Sequence, residues 1–296
     1  MKVIVCLKEV VDPTLSLDIG LGNSVIFQEG LPLRLNPNDT KALATALELR
    51  KSSSGTPVEI TLISIGPARV ESYLRNGLAL GADRAVRIWD EGFSELSAYQ
   101  KSRLLSAAIS LYGGDLVFTG ASSLDTGNCL VCPLIAAALG LPSVVEVVAL
   151  EMEAKINSIT LIADIGQGKR EKVQCHLPAV VAFKGEGKLP YASLDNLIES
   201  QCDEIILLSP ADLAISSVEL KNDPTRIMGL VCPKPLPRKF LSLDTSLPAF
   251  YRIMQLLEGG MSKRQCQVLQ GTNEELVEQL FQLLKEEGVI KPATAL

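Results

Sequence analysis

The first half of the chain alternates short apolar runs with longer segments of helical periodicity. Apolar runs over residues 3–7, 58–64, 85–89 and 116–119 are typical of buried strands. Between them, apolar side chains recur at helical spacing over residues 39–50, 68–81, 96–111 and 129–139. This order predicts an α/β fold with a doubly wound, mostly parallel sheet that has helices on both faces.

After Pro142 the pattern changes to closely spaced strand-like runs. Residues 144–150, 159–163 and 179–183 are such runs, and glycine turns lie at 166–168 and 185–187. We expect these runs to make antiparallel additions to the sheet. From residue 189 the apolar positions thin out among Ser, Pro and charged residues, which favours an extended C-terminal arm. Thr272 and Glu275 have capping-box spacing, which predicts that the arm ends in a helix. The predicted division is an α/β domain over 1–188 and an arm over 189–296.

Composition and charge exclude several classes of protein. Lys and Arg number 28 against 34 Asp and Glu, and this net charge of -6 disfavours nucleic-acid binding. Residues 126–145 carry no charge, but glycines and prolines interrupt them, so we expect no membrane span. The N-terminus lacks the pattern of a signal peptide, and seven cysteines cannot all pair. Reduced thiols and a cytoplasmic location are therefore expected.

Four segments at predicted strand ends or helix starts are the candidate ligand-binding loops. They lie at 6–8, 36–39, 64–67 and 120–133, where the carboxyl ends of parallel strands would meet. The last loop is rich in small residues that allow a backbone to approach a phosphate closely. It matches neither the Walker pattern nor G-x-G-x-x-G. The sequence therefore predicts a nucleotide pyrophosphate site here, with an ordinary strand-to-helix loop as the alternative.

Two further features have a chemical interpretation and a plainer one. Cys129 and Cys132 form a C-x-x-C at a helix start, which is compatible with a dithiol redox role. We favour a role for both cysteines as small packed residues. A second C-x-x-C, which a four-thiol metal site would need, does not occur in the sequence. His176 is the only histidine and has no nucleophile motif beside it, so a structural role is favoured. We therefore expect no autonomous catalytic residue.

Taken in order, several segments resemble the beta subunit of electron transfer flavoproteins. They are VIVCLKEVVD from residue 3, LNPND from 35, ISIGPA from 63, LALGADRAV from 78, GASSLDTGNCLVCPLIAAALGLP from 120, LPAVVAF from 177 and PYASLDNL from 190. The ending LVEQLFQLLKEEGVI resembles the C-terminal helix of longer bacterial members. The resemblance implies a heterodimer in which an alpha subunit holds a redox-active FAD. It also implies that this subunit binds an adenine nucleotide at its strand ends and that residues 189–296 contact the alpha subunit.

The resemblance assigns a set of cofactor-binding residues to this chain. They are Cys6, Asn36, Asp39, Ile65, Gly66, Ser122, Asp125, Thr126, Gly127, Asn128, Cys129, Val131, Cys132 and Pro133. Housekeeping members bind AMP as a structural element, whereas FixA-like and electron-bifurcating members bind a second FAD. Asp39, the pair Val131 and Pro133, and the long C-terminal part resemble the second branch, so FAD is predicted. After Asp125 the loop departs from the D-G-D-T-A-Q-V-G-P of bifurcating members, and AMP stays the alternative.

The resemblance also implies partners. Leu194 corresponds to the anchor position that contacts acyl-CoA dehydrogenases, whereas residues 199–204 are acidic where the family is Lys-rich. We therefore expect an acyl-CoA dehydrogenase or another flavoprotein or iron–sulfur oxidoreductase as partner, with NADH as a candidate donor. The expected function is passage of electrons between a donor and a dehydrogenase, reductase or quinone-linked partner within an oxidoreductase complex. A stand-alone adenine-nucleotide-binding module is the alternative from another class.

Overall fold

The computed structural model describes residues 1–12, 14, 32–53, 57–93, 96–152, 158–216, 219–220, 222–225, 247–257 and 271–286. Its contacts divide the chain into two compact units, Met1–Cys232 and Pro233–Leu296. The first unit contains eleven described strands and five described α-helices.

The strands are β1 (Lys2–Leu7), β2 (Glu9–Val11), β3 (Leu33–Leu35), β4 (Glu59–Ile65), β5 (Arg84–Ile88), β6 (Leu116–Gly120), β7 (Ser143–Met152), β8 (Ser158–Gly166), β9 (Lys169–His176), β10 (Ala179–Phe183) and β11 (Ile205–Leu208). The helices are α1 (Pro37–Ser52), α2 (Glu71–Ala79), α3 (Ala98–Tyr112), α4 (Val131–Leu139) and α5 (Leu194–Cys202). None of the helices described in the chain is long and apolar enough to cross a membrane.

One large mixed sheet forms the centre of the first unit. Nine described strands follow the order β11-β5-β4-β1-β6-β10-β7-β8-β9, and the first seven of these run parallel. Strands β8 and β9 are antiparallel additions at one edge. Strands β2 and β3 pair separately as a small antiparallel sheet. The predicted α/β class, with a mostly parallel sheet and antiparallel additions, is confirmed.

Strand β10 corrects one detail of the prediction. The run at 179–183 was expected to be an antiparallel addition, but it lies between β6 and β7 and is parallel to both. All five of its residues are buried. A continuous apolar run without alternation is the pattern of a central parallel strand, because helices cover both faces of such a strand.

Helices cover both faces of the sheet and divide its core into two layers. Alternate residues of β1 point to opposite faces, so Val3 and Val5 pack with α1 and α2, whereas Ile4 and Cys6 pack with α3 and α4. On the first face the rings of Phe118 and Phe183 meet edge to face with centroids 4.8 Å apart. These layers hold the carboxyl ends of β1, β6 and β10 in fixed positions.

The compact unit continues beyond residue 188, where the sequence pattern placed a domain boundary. Helix α5 packs against α2, and Nη1 of Arg75 donates hydrogen bonds of 2.8 to 3.0 Å to the carbonyls of Ser200, Gln201 and Asp203. Strand β11 then extends the sheet beside β5. A short helix and an edge strand need few apolar positions to dock, which is why the thin pattern concealed them. The assignment of function to each segment stays a prediction.

The second unit contains two described helices, α6 (Ala249–Leu257) and α7 (Asn273–Glu286). The predicted capping interaction at the terminal helix is present, since the Thr272 N–H donates to Glu275 Oε2 at 2.9 Å. Both helices expose large apolar side chains, which are Phe250, Tyr251, Ile253, Met254, Val277, Leu280 and Phe281.

Candidate functional site

The carboxyl ends of β1 and β6 mark the point where the sheet changes direction. From β1 the chain passes through α1 to β4 and then through α2 to β5, on one side of β1. After α3 it returns to β6 on the other side of β1. The connections leaving β1 and β6 therefore diverge, and in open parallel sheets a ligand crevice forms at such a point.

A buried polar network joins the connections at this point. Asn36 and Asp39 are 2% and 4% exposed. The Asn36 Nδ2 donates to Asp39 Oδ1 at 2.9 Å and to the Ser122 carbonyl at 2.9 Å. The Lys8 amide donates to Asp39 Oδ2 at 2.7 Å. The network thus ties the end of β1, the start of α1 and the loop after β6 into one assembly.

Burial determines the protonation behaviour of Asp39. It raises the pKa of the Asp39 carboxyl to about 7, and hydrogen bonds from Asn36 and from the backbone of Lys8 only partly oppose it. A carboxyl at the centre of three connections therefore titrates near neutral pH.

Two glycines and Asn38 complete the close packing of these loops. Asn38 Nδ2 donates to the Ser122 carbonyl at 2.8 Å, and its Oδ1 accepts from the Gly185 amide at 2.8 Å, which brings in the end of β10. A Cβ at Gly120 would overlap Asp39 Oδ1 and lie 2.9 Å from Asn36 Nδ2. Position 120 therefore has no room for a side chain.

An ion pair links β1 to the loop at 120–130. Lys8 Nζ lies 2.6 Å from Asp125 Oδ2 and 2.7 Å from Oδ1, and it also donates to Ser123 Oγ at 3.3 Å. The Thr126 amide donates to Asp125 Oδ1 at 2.7 Å. Partial burial would raise the pKa of Asp125, but the bonds from Lys8, Ser123 and Thr126 outweigh it and hold the pKa below its ordinary value. Asp125 is therefore a carboxylate at neutral pH.

The loop then leads into a helix whose N-terminus is free of side-chain caps. Residues 124–130 are exposed, and Cys129 adopts a positive φ of 55°. Helix α4 follows with Leu130 as N-cap, which makes no side-chain cap, and no acidic residue lies in the first turn. Because Pro133 has no N–H, Val131 and Cys132 supply the free amides of that turn. Such amides attract anions.

The C-x-x-C pair differs from an activated dithiol. Cys129 is exposed, whereas Cys132 is 2% exposed in the core beneath the loop. Burial raises the pKa of Cys132 to about 11 and raises that of Cys6 as well. A redox-active thiol needs a lowered pKa. The burial of Cys132 therefore favours a role as a packed core residue. Among the described residues, no group of acids, cysteines and histidines could hold a metal ion.

The remaining residues singled out in the sequence lie in four places. Ile65 and Gly66 are at the carboxyl end of β4, beside β1, and the Gly66 amide donates to the Ile88 carbonyl at 3.2 Å. Leu194 is the first residue of α5 and is 72% exposed. His176 is an exposed residue at the end of β9, outside these loops. Thr126, Gly127 and Asn128 lie in the exposed loop.

Four residues hold this site together without being among the predicted cofactor-binding residues. Lys8, Gly120 and Ser123 lie in the candidate loops, and Gly185 is predicted only as a turn residue. Lys8 and Asp125 are 117 positions apart, so no local pattern links them. The signal that was available is their place at strand ends, since both follow parallel strands that meet at one edge.

These observations define a doubly wound α/β protein with a buried polar network at its topological switch point, the place where open parallel sheets bind ligands. The family of the electron transfer flavoprotein domain matches residues 24–186, which is more than half of the chain. The chain belongs to the electron transfer flavoprotein family.

Relatives over most of the chain agree with this assignment. The chain is 29% identical to Protein FixA of Sinorhizobium fredii over 260 residues, which cover 83% of this chain and 88% of the relative. It is 30% identical to the electron transfer flavoprotein subunit beta of Thermoanaerobacterium thermosaccharolyticum over 237 residues, with 79% and 88% covered. It is 28% identical to the Caffeyl-CoA reductase-Etf complex subunit CarD of Acetobacterium woodii, with the same coverage. The chain is thus similar to FixA and beta-type subunits.

Proposed function

We propose that this chain is the beta-type subunit of a heterodimeric electron transfer flavoprotein and binds FAD in the crevice between β1 and β6, with AMP as the alternative. One observation is the main support for a bound nucleotide. Asn36 Oδ1 is buried and has no hydrogen-bond partner among the described residues. A buried acceptor without a donor is costly, so a ligand donor at this position is the simplest compensation.

The other groups at this edge fit a phosphate-bearing adenine nucleotide. Small residues at 120–123 allow close approach, and the amides of Val131 and Cys132 suit a phosphate. When bound, FAD would supply one- and two-electron chemistry that no side chain here possesses. The protein's own groups bind and orient the nucleotide, and they need no nucleophile or general base.

Exposed apolar surface supports an alpha subunit as the partner. In α7, Val277, Leu280 and Phe281 share one face and are 69%, 48% and 51% exposed. In α6, Phe250, Ile253 and Met254 also share an exposed face. Apolar faces of this kind indicate protein contacts. Two relatives are named as subunits, of an electron transfer flavoprotein and of an Etf complex, which agrees with this role.

A second surface suits the redox partner. Tyr191, Leu194 and Ile198 are 103%, 72% and 60% exposed around the start of α5. Acidic residues follow at Glu199 and Asp203. We propose that an acyl-CoA dehydrogenase, or another flavoprotein or iron–sulfur oxidoreductase with a basic docking face, binds here. NADH as donor and a cytoplasmic location complete the proposal.

The decisive experiment is the nucleotide content of the complex. The full chain is co-expressed with an electron transfer flavoprotein alpha subunit from the same organism, purified, denatured, and assayed for released FAD and AMP. We expect two FAD per heterodimer. One FAD with one AMP would contradict FAD in this subunit and support the structural alternative. A stable chain that forms no complex would contradict the subunit role.

A pair of variants tests the location of the nucleotide. Asn36→Ala removes the unpaired acceptor and the bonds to Asp39 and Ser122, and we expect it to lower the nucleotide retained by this subunit at least tenfold. Asn76→Ala is the matched control, because Asn76 is an exposed residue on α2. Equal nucleotide retention in both variants would contradict this site.

A further inference from the structure

Lys8 is a cation at the switch point that the nucleotide site described so far does not use. It is the first residue after β1, so its backbone position is set by a strand with five buried residues. Its amide donates to Asp39, and its carbonyl accepts from the Asn36 amide at 3.0 Å. The side chain is 30% exposed, so the ammonium group is within reach of a ligand.

The contacts of Lys8 Nζ lie in the loop that leads to α4. Both carboxylate oxygens of Asp125 and the hydroxyl of Ser123 surround the ammonium at 2.6 to 3.3 Å. Asp125 is itself fixed by the Thr126 amide, and Ser123 Oγ lies 3.0 Å from Thr126 Oγ1. The ammonium is therefore fixed in direction against the loop that leads to α4.

The buried acceptor Asn36 Oδ1 is the independent indication of a ligand at this place. The side chains of Asn36 and Lys8 bond to adjacent residues of one loop, Ser122 and Ser123, so an occupant that reaches one is near the other. A nucleotide has hydrogen-bond donors that could satisfy Asn36 Oδ1, and it has a negatively charged phosphate. The phosphate needs a cation, because the nearby acids Asp39 and Asp125 would otherwise repel it.

We propose that Lys8 binds a phosphate of the nucleotide and that Asp125 is a positioning residue that aims the Lys8 ammonium. This inference rests on the proposed nucleotide site and adds the group that recognises phosphate charge. A lysine suits this role because its ammonium has three N–H donors, and the one on Ser123 Oγ, its longest contact at 3.3 Å, can turn to a phosphate while Asp125 keeps the others. Asp125 thus acts through Lys8 and its own loop.

The test is a series of ligands that differ in charge. The heterodimer is purified with the full chain, stripped of nucleotide, and titrated calorimetrically with adenosine, AMP and ADP. We expect Lys8→Met to weaken AMP binding about 10- to 100-fold and ADP binding by more, as for a lost charged hydrogen bond. Adenosine binding should change less than about twofold. Lys2→Met is the matched control, since Lys2 lies at the opposite end of β1.

Further measurements separate the possible outcomes. Lys8→Arg should restore most of the AMP affinity, and Asp125→Asn should weaken AMP more than adenosine, with little added effect when Lys8→Met is present. For the wild type, raising the salt concentration should weaken the binding of AMP but not that of adenosine.

If Lys8→Met weakens the binding of all three ligands equally, or weakens none, Lys8 does not bind the phosphate. Either result would leave the proposed nucleotide site itself intact. Tighter AMP binding by Asp125→Asn would overturn the positioning role. A wild type that binds no nucleotide would overturn the proposed function as well.

Discussion

The switch-point loops and the C-terminal helices depart from the usual distribution of side chains in opposite ways. At the switch point, polar Asn36 and Asp39 are buried. In α7, large apolar residues such as Val277 and Phe281 are exposed. A buried polar group needs hydrogen-bond partners, whereas an exposed apolar face gains free energy when another surface covers it.

Because of this difference, the two regions need different kinds of partner. The buried network satisfies most of its own groups, and its remaining acceptor, Asn36 Oδ1, points to a small polar ligand. The exposed faces are apolar and have no polar pattern that would select a small molecule, which suits contact with another protein. Substitutions in each region, and changes of pH, test this contrast.

Substitution of Gly120 should have the largest effect on stability at a single pH. Gly120→Ala places a Cβ against Asp39 Oδ1, so the network must shift, and we expect a loss of about 2–3 kcal/mol in the free energy of unfolding. Urea denaturation measures this loss. Gly114→Ala is the control before the same strand, since its Cβ would lie 3.1 and 3.3 Å from Cδ1 and Cγ1 of Ile4 and 3.6 Å from the Leu116 carbonyl oxygen, without overlapping a buried polar group. Equal costs for the two variants would contradict close packing of the network.

The free energy of unfolding should depend on pH through the protonation of the buried Asp39. Its pKa is raised in the folded state, so its contribution to stability is fully present below the ordinary value of 3.8 and is lost as pH rises towards about 7. The slope of this loss is at most about 1.4 kcal/mol per pH unit. Asp125, with a lowered pKa, contributes in the opposite sense and loses its contribution as pH falls. Urea denaturation between pH 4 and 8 compares the wild type with Asp39→Asn, which should lack the loss between about 4 and 7.

The exposed face of α7 should matter for association and not for folding. Phe281→Gln is expected to leave the free energy of unfolding within about 0.5 kcal/mol and to weaken binding of the alpha subunit about tenfold or more. Surface plasmon resonance with immobilised alpha subunit measures the affinity. Gln282→Ala, at an exposed neighbouring position, is the control. An affinity unchanged by Phe281→Gln would show that this face is not the interface.

The cap of α7 should give the smallest effect. Glu275→Ala removes the acceptor for the Thr272 amide, and we expect the helix to lose about 0.5–1 kcal/mol of stability. Hydrogen exchange of the amides in its first turn reports the change. Glu274→Ala removes an acidic residue from the same turn without the capping bond, so it should cost less. A larger cost at Glu274 would contradict the capping interaction.

Local pattern was sufficient for the elements and for the candidate loops. Apolar runs and helical spacing predicted β1, β4, β5, β6 and the helices between them, because each strand and helix buries its own apolar positions. The loops that follow these strands contain Asn36, Asp39, Ser122 and Asp125, and the structure brings these four to one edge of the sheet.

Tertiary structure decided the neighbours. The apolar run of β10 is compatible with any buried strand, and only pairing with β6 and β7 makes it central and parallel. Likewise, the sequence around Lys8 does not indicate that it pairs with Asp125. The sequence around Gly120 does not indicate that it packs against Asp39. Burial of an apolar run is a property of the run itself, whereas strand order and side-chain contacts depend on the free energy of segments far apart along the chain. For this reason the sequence alone predicted the elements and the edge at which a ligand would bind, but the polar contacts of the site came only from the packed sheet.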